Sequence, residues 1–258
     1  MRININRIAR LFSGPRTTQH MPTIFHITHW KAGSQWINKI LHDCLPYHIV
    51  EPQVDEVQFL DQPLQLGKVY PTVYVTKEQF DSVRLPSLWE RFVIIRDLRD
   101  SLISAYFSIK VSHPLIDPRI EKWRRQVNQL SREEGLIYLI EEWLPYSLRI
   151  QKSWAASREK LIRYEDLLEK DSQILQKVLL VDCKLPVSRD KLESAISANR
   201  FRVLTKGRER GTEDITAHER KGISGDWRNY FSQRLKEVFK QRTGDLLMRL
   251  GYENDHNW

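Results

Sequence analysis

The chain has 258 residues, 41% of them hydrophobic, which is sufficient to bury a sizeable core in one α/β domain or two small ones, and we read one. Forty-one Lys and Arg against 33 Asp and Glu leave a formal charge of +8, which suits an anionic ligand without choosing among a nucleotide, a polyanion and a nucleic acid. The two cysteines, Cys44 and Cys183, lie far apart without a CxxC, so no disulfide framework or zinc site is indicated, an intracellular protein is expected, and no apolar run approaches the length of a membrane span.

In chain order, residues 1–18 carry Arg2, Arg7, Arg10 and Arg16 and no acid. They lack the apolar centre of a secretory signal and read as a loosely held basic N-terminus. The β-branched and aromatic run Thr23 to Thr28 predicts a buried strand, and Ser34 to Cys44 places Trp36, Ile37, Ile40 and Leu41 on one helix face. The tight loop between them contains Trp30, Lys31, Ala32 and Gly33. Gly33 permits close backbone approach, and Ser34 with the first amides of the helix points unpaired N–H groups at the same spot, where the helix dipole favours an anion. Lys31 adds a positive charge. This cradle is not a Walker A loop, which needs a second glycine and a lysine that follows it.

Leu45 to Gly67 reads as a long surface connection, of the kind that shapes a substrate mouth. Thr72 to Thr76 predicts a second strand and Phe92 to Ile95 a third, which delivers Arg96 to a strand end and runs into a helix from Leu98 that contains Ser104. Arg119 to Leu130 and Glu133 to Trp154 predict amphipathic helices, the second interrupted near Pro145. Leu161 to Leu167 predicts strand into helix, and Asp171 to Val181 and Ser188 to Asn199 two more helices. The Lys/Arg/Gly/Glu-rich run 201–219 is expected to be a mobile surface loop. Arg220 to Trp227 combines two cations and two glycines in one turn, and Gln233 to Leu250 closes the chain as a helix.

Four of these stretches carry a resemblance. Lys31-Ala32-Gly33-Ser34-Gln35-Trp36 resembles the 5′-phosphosulfate loop (PKSGTTW) of sulfotransferases that use 3′-phosphoadenosine 5′-phosphosulfate (PAPS). Arg96-x7-Ser104, with Asp100 and Tyr106 matching and Leu98 where many members have Pro, resembles their 3′-phosphate motif. Leu161 to Leu167 is similar to LxxRYEDL, whose tyrosine bonds the adenine, a role Tyr164 would inherit. Arg220-Lys221-Gly222 to Trp227 matches RKGxxGDW, which wraps the 3′-phosphate, and Phe201 stands where an aromatic commonly stacks on adenine. The four occur in family order from Ile24 to about Ser232.

The resemblance implies an α/β, P-loop-like three-layer fold with a central parallel sheet flanked by helices, as one domain over 1–258. It implies an enzyme that moves a sulfuryl group from PAPS to a hydroxyl or amine of a small-molecule acceptor, leaving adenosine 3′,5′-bisphosphate. Because a sulfuryl group carries less negative charge than a γ-phosphoryl, no metal clamp is expected, and Lys31 would neutralise the oxygen that bridges sulfur and phosphorus. Cytosolic animal members carry a histidine base on the strand before the 3′-phosphate motif, where this chain has Val75-Thr76-Lys77-Glu78. Glu78 is the first candidate base and Lys77 the second, with His29 and His113 open; an easily deprotonated acceptor needs no strong base. The acceptor pocket would draw on 50–70, 77–85, 106–118 and 201–216. The expected protein is cytoplasmic, a monomer or homodimer, with no nucleic-acid partner.

Overall fold

A computed structural model describes residues 21–52, 58–61, 63–115 and 117–258. The basic N-terminal segment and part of the expected acceptor mouth, 53–57, 62 and 116, lie outside the described residues.

Four strands, β1 (Thr23–Ile27), β2 (Val69–Val73), β3 (Trp89–Ile95) and β4 (Leu161–Arg163), form one parallel sheet in the order β2-β1-β3-β4. All five β1 residues are buried, as a central parallel strand covered on both faces requires. Alternation along β1 and β3 divides the core. Phe25, Ile27, Val93 and Ile95 pack with one set of helices, while Ile24, Phe92 and Ile94 pack with another, giving helix, sheet and helix layers.

The helices follow in order: α1 (Ser34–Cys44), a short α2 (Gln58–Asp61), α3 (Lys77–Ser82), α4 (Leu98–Phe107), α5 (Pro118–Gln129), α6 (Arg132–Glu142) and α7 (Leu144–Ala155) precede β4. After it come α8 (Tyr164–Leu175), α9 (Arg189–Ala198), a single turn α10 (Phe201–Leu204), α11 (Gln233–Thr243) and α12 (Leu246–Arg249). Among the described residues no helix is long and apolar enough to cross a membrane.

Several boundaries differ from the sequence reading for physical reasons. The second strand runs over Val69–Val73, not Thr72 to Thr76. It is an edge strand, so Pro71 is tolerated without an N–H to donate, and Thr76 is spent as the N-cap of α3 in a reciprocal capping box with Gln79. The interruption expected near Pro145 is present: Glu133 to Trp154 divides into α6 and α7, with Pro145 in the first turn of α7, where its missing N–H costs nothing. The closing helix breaks at Gly244, whose φ of +62° a side chain resists, into α11 and α12. The expected helix from Asp171 is continuous with α8 through a kink at Lys170 and ends in a wide turn over Gln176–Asp182.

Candidate active site

The site lies at the carboxyl ends of β1, β3 and β4, the crevice where open parallel sheets place ligands. Gly33 is the N-cap of α1 at φ +83°, with no side chain capping the helix, so the first amides of α1 stay available to an anion. A Cβ on Gly33 would stand 2.7 Å from the Tyr164 ring, which explains why the cradle needs glycine. Ala32 and Ser34 are buried, the Ser34 hydroxyl accepting from the Tyr74 hydroxyl at 2.9 Å, whereas Gln35 is exposed. Trp36 sits edge-on to Tyr164, and its indole N–H is buried without a partner.

Lys31 adopts a φ of +64°, which turns its carbonyl to the Arg96 guanidinium, whose Nη1 donates to it at 2.9 Å. Arg96 also lies over the Tyr164 ring, 4.6 Å from its centroid, and its Nε is buried without a partner. The backbone here is held by His29: its Nδ1 lies 3.0 Å from the Trp30 carbonyl, and its Nε2 accepts the Arg96 N–H at 3.1 Å. Gln151 on α7 completes the bracket by donating to the Arg96 carbonyl at 2.8 Å. Burial pulls the His29 pKa down to about 4, so it is neutral, and both of its nitrogens are committed.

The carboxylates of Asp97 and Asp100, close to Arg96 along the chain, are bonded elsewhere. Asp97 caps α4 and pairs with Arg99. Asp100 accepts the N–H groups of Gly225 at 2.6 Å and Trp227 at 2.9 Å, tying α4 to the Arg220-to-Trp227 turn. Ser104 is half-buried on α4.

In that turn, Arg220 lies 4.6 Å from the centroid of Phe107 and pairs with Glu213 and Asp226, and Lys221 pairs with Asp226 at 2.7 Å. Gly222, at φ +67°, rests on Phe201; a Cβ there would be 2.4 Å from the ring. The segment expected to be a mobile loop is bonded to this turn, since Gly211 and Asp214 donate N–H groups to the Lys221 and Arg220 carbonyls at 2.8 and 2.9 Å.

Lys31, Arg96 and Arg220 thus converge. Burial, then repulsion from Arg96 and Arg220, brings the Lys31 pKa down to about 8, with Glu219 opposing. Among the described residues neither Lys31 nor Arg96 makes an ion pair. Converging cations, an unpartnered guanidinium Nε and an uncapped helix N-terminus are a donor set that fits a nucleotide carrying phosphate at two ends.

Lys77 pairs with Asp81 and its N–H donates to Ser153 at 2.9 Å, while Glu78 is exposed in the first turn of α3. Two groups drew no notice in the sequence as neighbours of Lys31. His218 feels the Lys31, Lys39 and His113 charges, and Glu219 pairs with Lys39 at 3.2 Å. Only their closeness to Arg220 along the chain could have pointed to them. Among the described residues no cluster of His, Cys, Asp and Glu could hold a metal ion.

A family model for the sulfotransferase domain matches residues 22–251. A search of curated proteins finds no match. Among solved structures, mouse sulfotransferase SULT7A1 complexed with PAP superposes with a TM-score of 0.58 at 16% identity, covering 88% of this chain and 85% of the other. Retinol dehydratase in a complex with retinol and PAP gives 0.54 at 16% identity, over 88% of this chain and 82% of the other. The same enzyme with androsterone and PAP gives 0.54 at 15% identity, with the same coverages of 88% and 82%. At such identities these likenesses bear on the fold, and the four-stranded parallel sheet between helices agrees with them. With the domain model spanning nearly the whole chain, this protein belongs to the family of PAPS-dependent sulfotransferases.

Proposed function

We propose that the chain moves the sulfuryl group of PAPS to a hydroxyl or amine of a small-molecule acceptor, giving adenosine 3′,5′-bisphosphate and a sulfate ester or sulfamate. The observation that carries this is the meeting of Lys31, Arg96 and Arg220 beside the uncapped start of α1, with Lys31 and Arg96 lacking any carboxylate partner among the described residues.

In this reading the amides of Ser34 to Trp36 hold the 5′ groups, and Lys31 donates to the bridging oxygen as negative charge grows there. Arg96, Ser104, Arg220, Lys221 and the Gly222 amide take the 3′-phosphate, for which Arg220 and Lys221 exchange part of their bonding to Glu213 and Asp226. Tyr164 and Phe201 flank the adenine. The parts supply position and charge, which is most of what an in-line transfer needs, and no metal is assigned a role.

The relatives crystallised with retinol and with androsterone support a small, largely apolar alcohol as acceptor. We assign the protein to the cytoplasm as a monomer or homodimer. Incubation with sulfur-labelled PAPS and panels of alcohols, phenols and amines tests the function: label should pass to one class with release of adenosine 3′,5′-bisphosphate. No transfer and no calorimetric binding of the bisphosphate would overturn it.

A further inference from the structure

Resting on the proposed transfer, we infer that Tyr74, the first residue beyond β2, is a positioning residue for the 5′ end of the nucleotide: its hydroxyl holds the Ser34 side chain so that the Ser34 proton is donated to the 5′ anion. Ser34 opens α1 directly after Gly33, so its side chain stands beside the amides of the cradle. Tyr74 reaches it from the neighbouring strand, and its hydroxyl donates to Ser34 Oγ at 2.9 Å. Tyr74 lies outside the four stretches that carry the family resemblance, 40 residues along the chain from Ser34.

The backbone around Tyr74 is bonded at three successive carbonyls, which presets where its ring can reach. The Val73 carbonyl accepts the Thr28 N–H at 3.0 Å, setting the end of β2 level with the end of β1. The Tyr74 carbonyl accepts from the Tyr146 hydroxyl on α7, and the Val75 carbonyl accepts from the Trp154 indole N–H at 2.8 Å. Tyr146 also packs on Trp30, with ring centroids 4.6 Å apart, so the helix that fixes Tyr74 braces the residue before Lys31 as well. The Tyr74 ring packs against the larger apolar cluster, and a phenol enclosed in this way needs a partner for its hydroxyl. Ser34 is that partner.

The direction of the bond decides what Ser34 can do. Ser34 is buried, does not cap α1, and among the described residues its hydroxyl makes no other hydrogen bond. With the Tyr74 proton on its oxygen, the Ser34 hydroxyl has its own proton left to donate, and no acceptor in the protein competes for it. An anion seated on the first amides of α1 completes the chain from Tyr74 O–H to Ser34 O–H to ligand, and the first donation polarises the second. Desolvation raises the Tyr74 pKa above its usual 10, with the bond to Ser34 opposing, so the phenol keeps its proton and remains a donor at neutral pH. A serine held in this way is organised before the nucleotide arrives, which spares the ordering of a free rotor on binding.

The test is a calorimetric double-mutant cycle on the whole chain, read with two nucleotides that differ only at the 5′ end, adenosine 3′,5′-bisphosphate and adenosine 3′-phosphate. Tyr74→Phe should weaken binding of the bisphosphate about fivefold and Ser34→Ala about tenfold, while adenosine 3′-phosphate binds either variant within about twofold of the native protein. Because Tyr74 acts through the Ser34 hydroxyl, the double variant should bind the bisphosphate within about twofold of Ser34→Ala. In Ser34→Thr, which keeps a hydroxyl, removal of the Tyr74 hydroxyl should again cost about fivefold. Equal weakening of both nucleotides in Tyr74→Phe, fully additive losses in the double variant, or unchanged bisphosphate affinity in Tyr74→Phe would each overturn the role of Tyr74. A native protein that binds neither nucleotide contradicts the proposed transfer itself, which separates the two failures.

Discussion

Lys31 is held in a conformation and a charge environment that cost the fold some stability. Its φ is positive, its ammonium is close to Arg96 and Arg220, and its pKa has come down to about 8. Replacing it with methionine should therefore leave thermal stability unchanged or raised. The same change should lower sulfuryl transfer by about 100-fold to 1,000-fold, because it removes the donor aimed at the leaving oxygen, while bisphosphate affinity falls only a few fold. Parallel melting, calorimetry and label transfer check all three. The direction of the pKa shift gives a pH dependence. Below about pH 8 Lys31 is charged and ready for the anion; above it, binding must first draw in a proton. Bisphosphate affinity should then weaken by a few fold in all as the pH rises through about 8, and Lys31→Met should remove that dependence.

At the scale of elements, the site is an agreement between three strand ends and two glycine turns. Asp100 is the clearest tie, since one buried carboxylate on α4 bonds two amides of the Arg220-to-Trp227 turn. Asp100→Ala would leave both N–H groups without their partner, at a cost of about 1–3 kcal/mol. A lower Tm together with weaker bisphosphate binding is the expected result, and the two should fall together, because the turn that loosens is the one that carries Lys221. Gly222→Ala makes a complementary prediction. Its Cβ would overlap Phe201, so the adenine-flanking ring must move; affinity should drop more than tenfold, with any loss of stability confined to about 1–3 kcal/mol.

Those turns also show how far local sequence carries structural information. Ser34 to Cys44 was legible as a helix to the residue, because Gly33 punctuates its start and the apolar spacing continues to the last turn. Arg96 at the end of β3 was legible for the same reason, as a β-branched run passing into helical spacing. The place of β2 was not, since a window that contains Pro71 argues against a strand unless it is known to be at the edge. The pairing of Arg220 and Lys221 with Asp226, though all three lie in one short motif, depends on how Gly225 at φ +77° folds the turn back. That the Lys31 charge acts on both His113 and His218 links three distant parts of the chain, and no periodicity reports such a link.

For the whole molecule, the two halves of the core meet across the sheet, and the nucleotide is expected to bind on the sheet's carboxyl edge, where cations from the β1 loop, β3 and the late turn converge. A ligand that gathers these segments should stabilise the entire fold: adenosine 3′,5′-bisphosphate at 100 times its Kd should add about 2.7 kcal/mol and raise the Tm accordingly. The most direct measurement of two-ended recognition is a calorimetric comparison of adenosine 3′,5′-bisphosphate with adenosine 5′-phosphate on the native chain and on Arg96→Ala. Preference for the bisphosphate by more than tenfold in the native protein, largely erased in Arg96→Ala, is the predicted result. Equal affinity for the two nucleotides, or no binding of either, would contradict it.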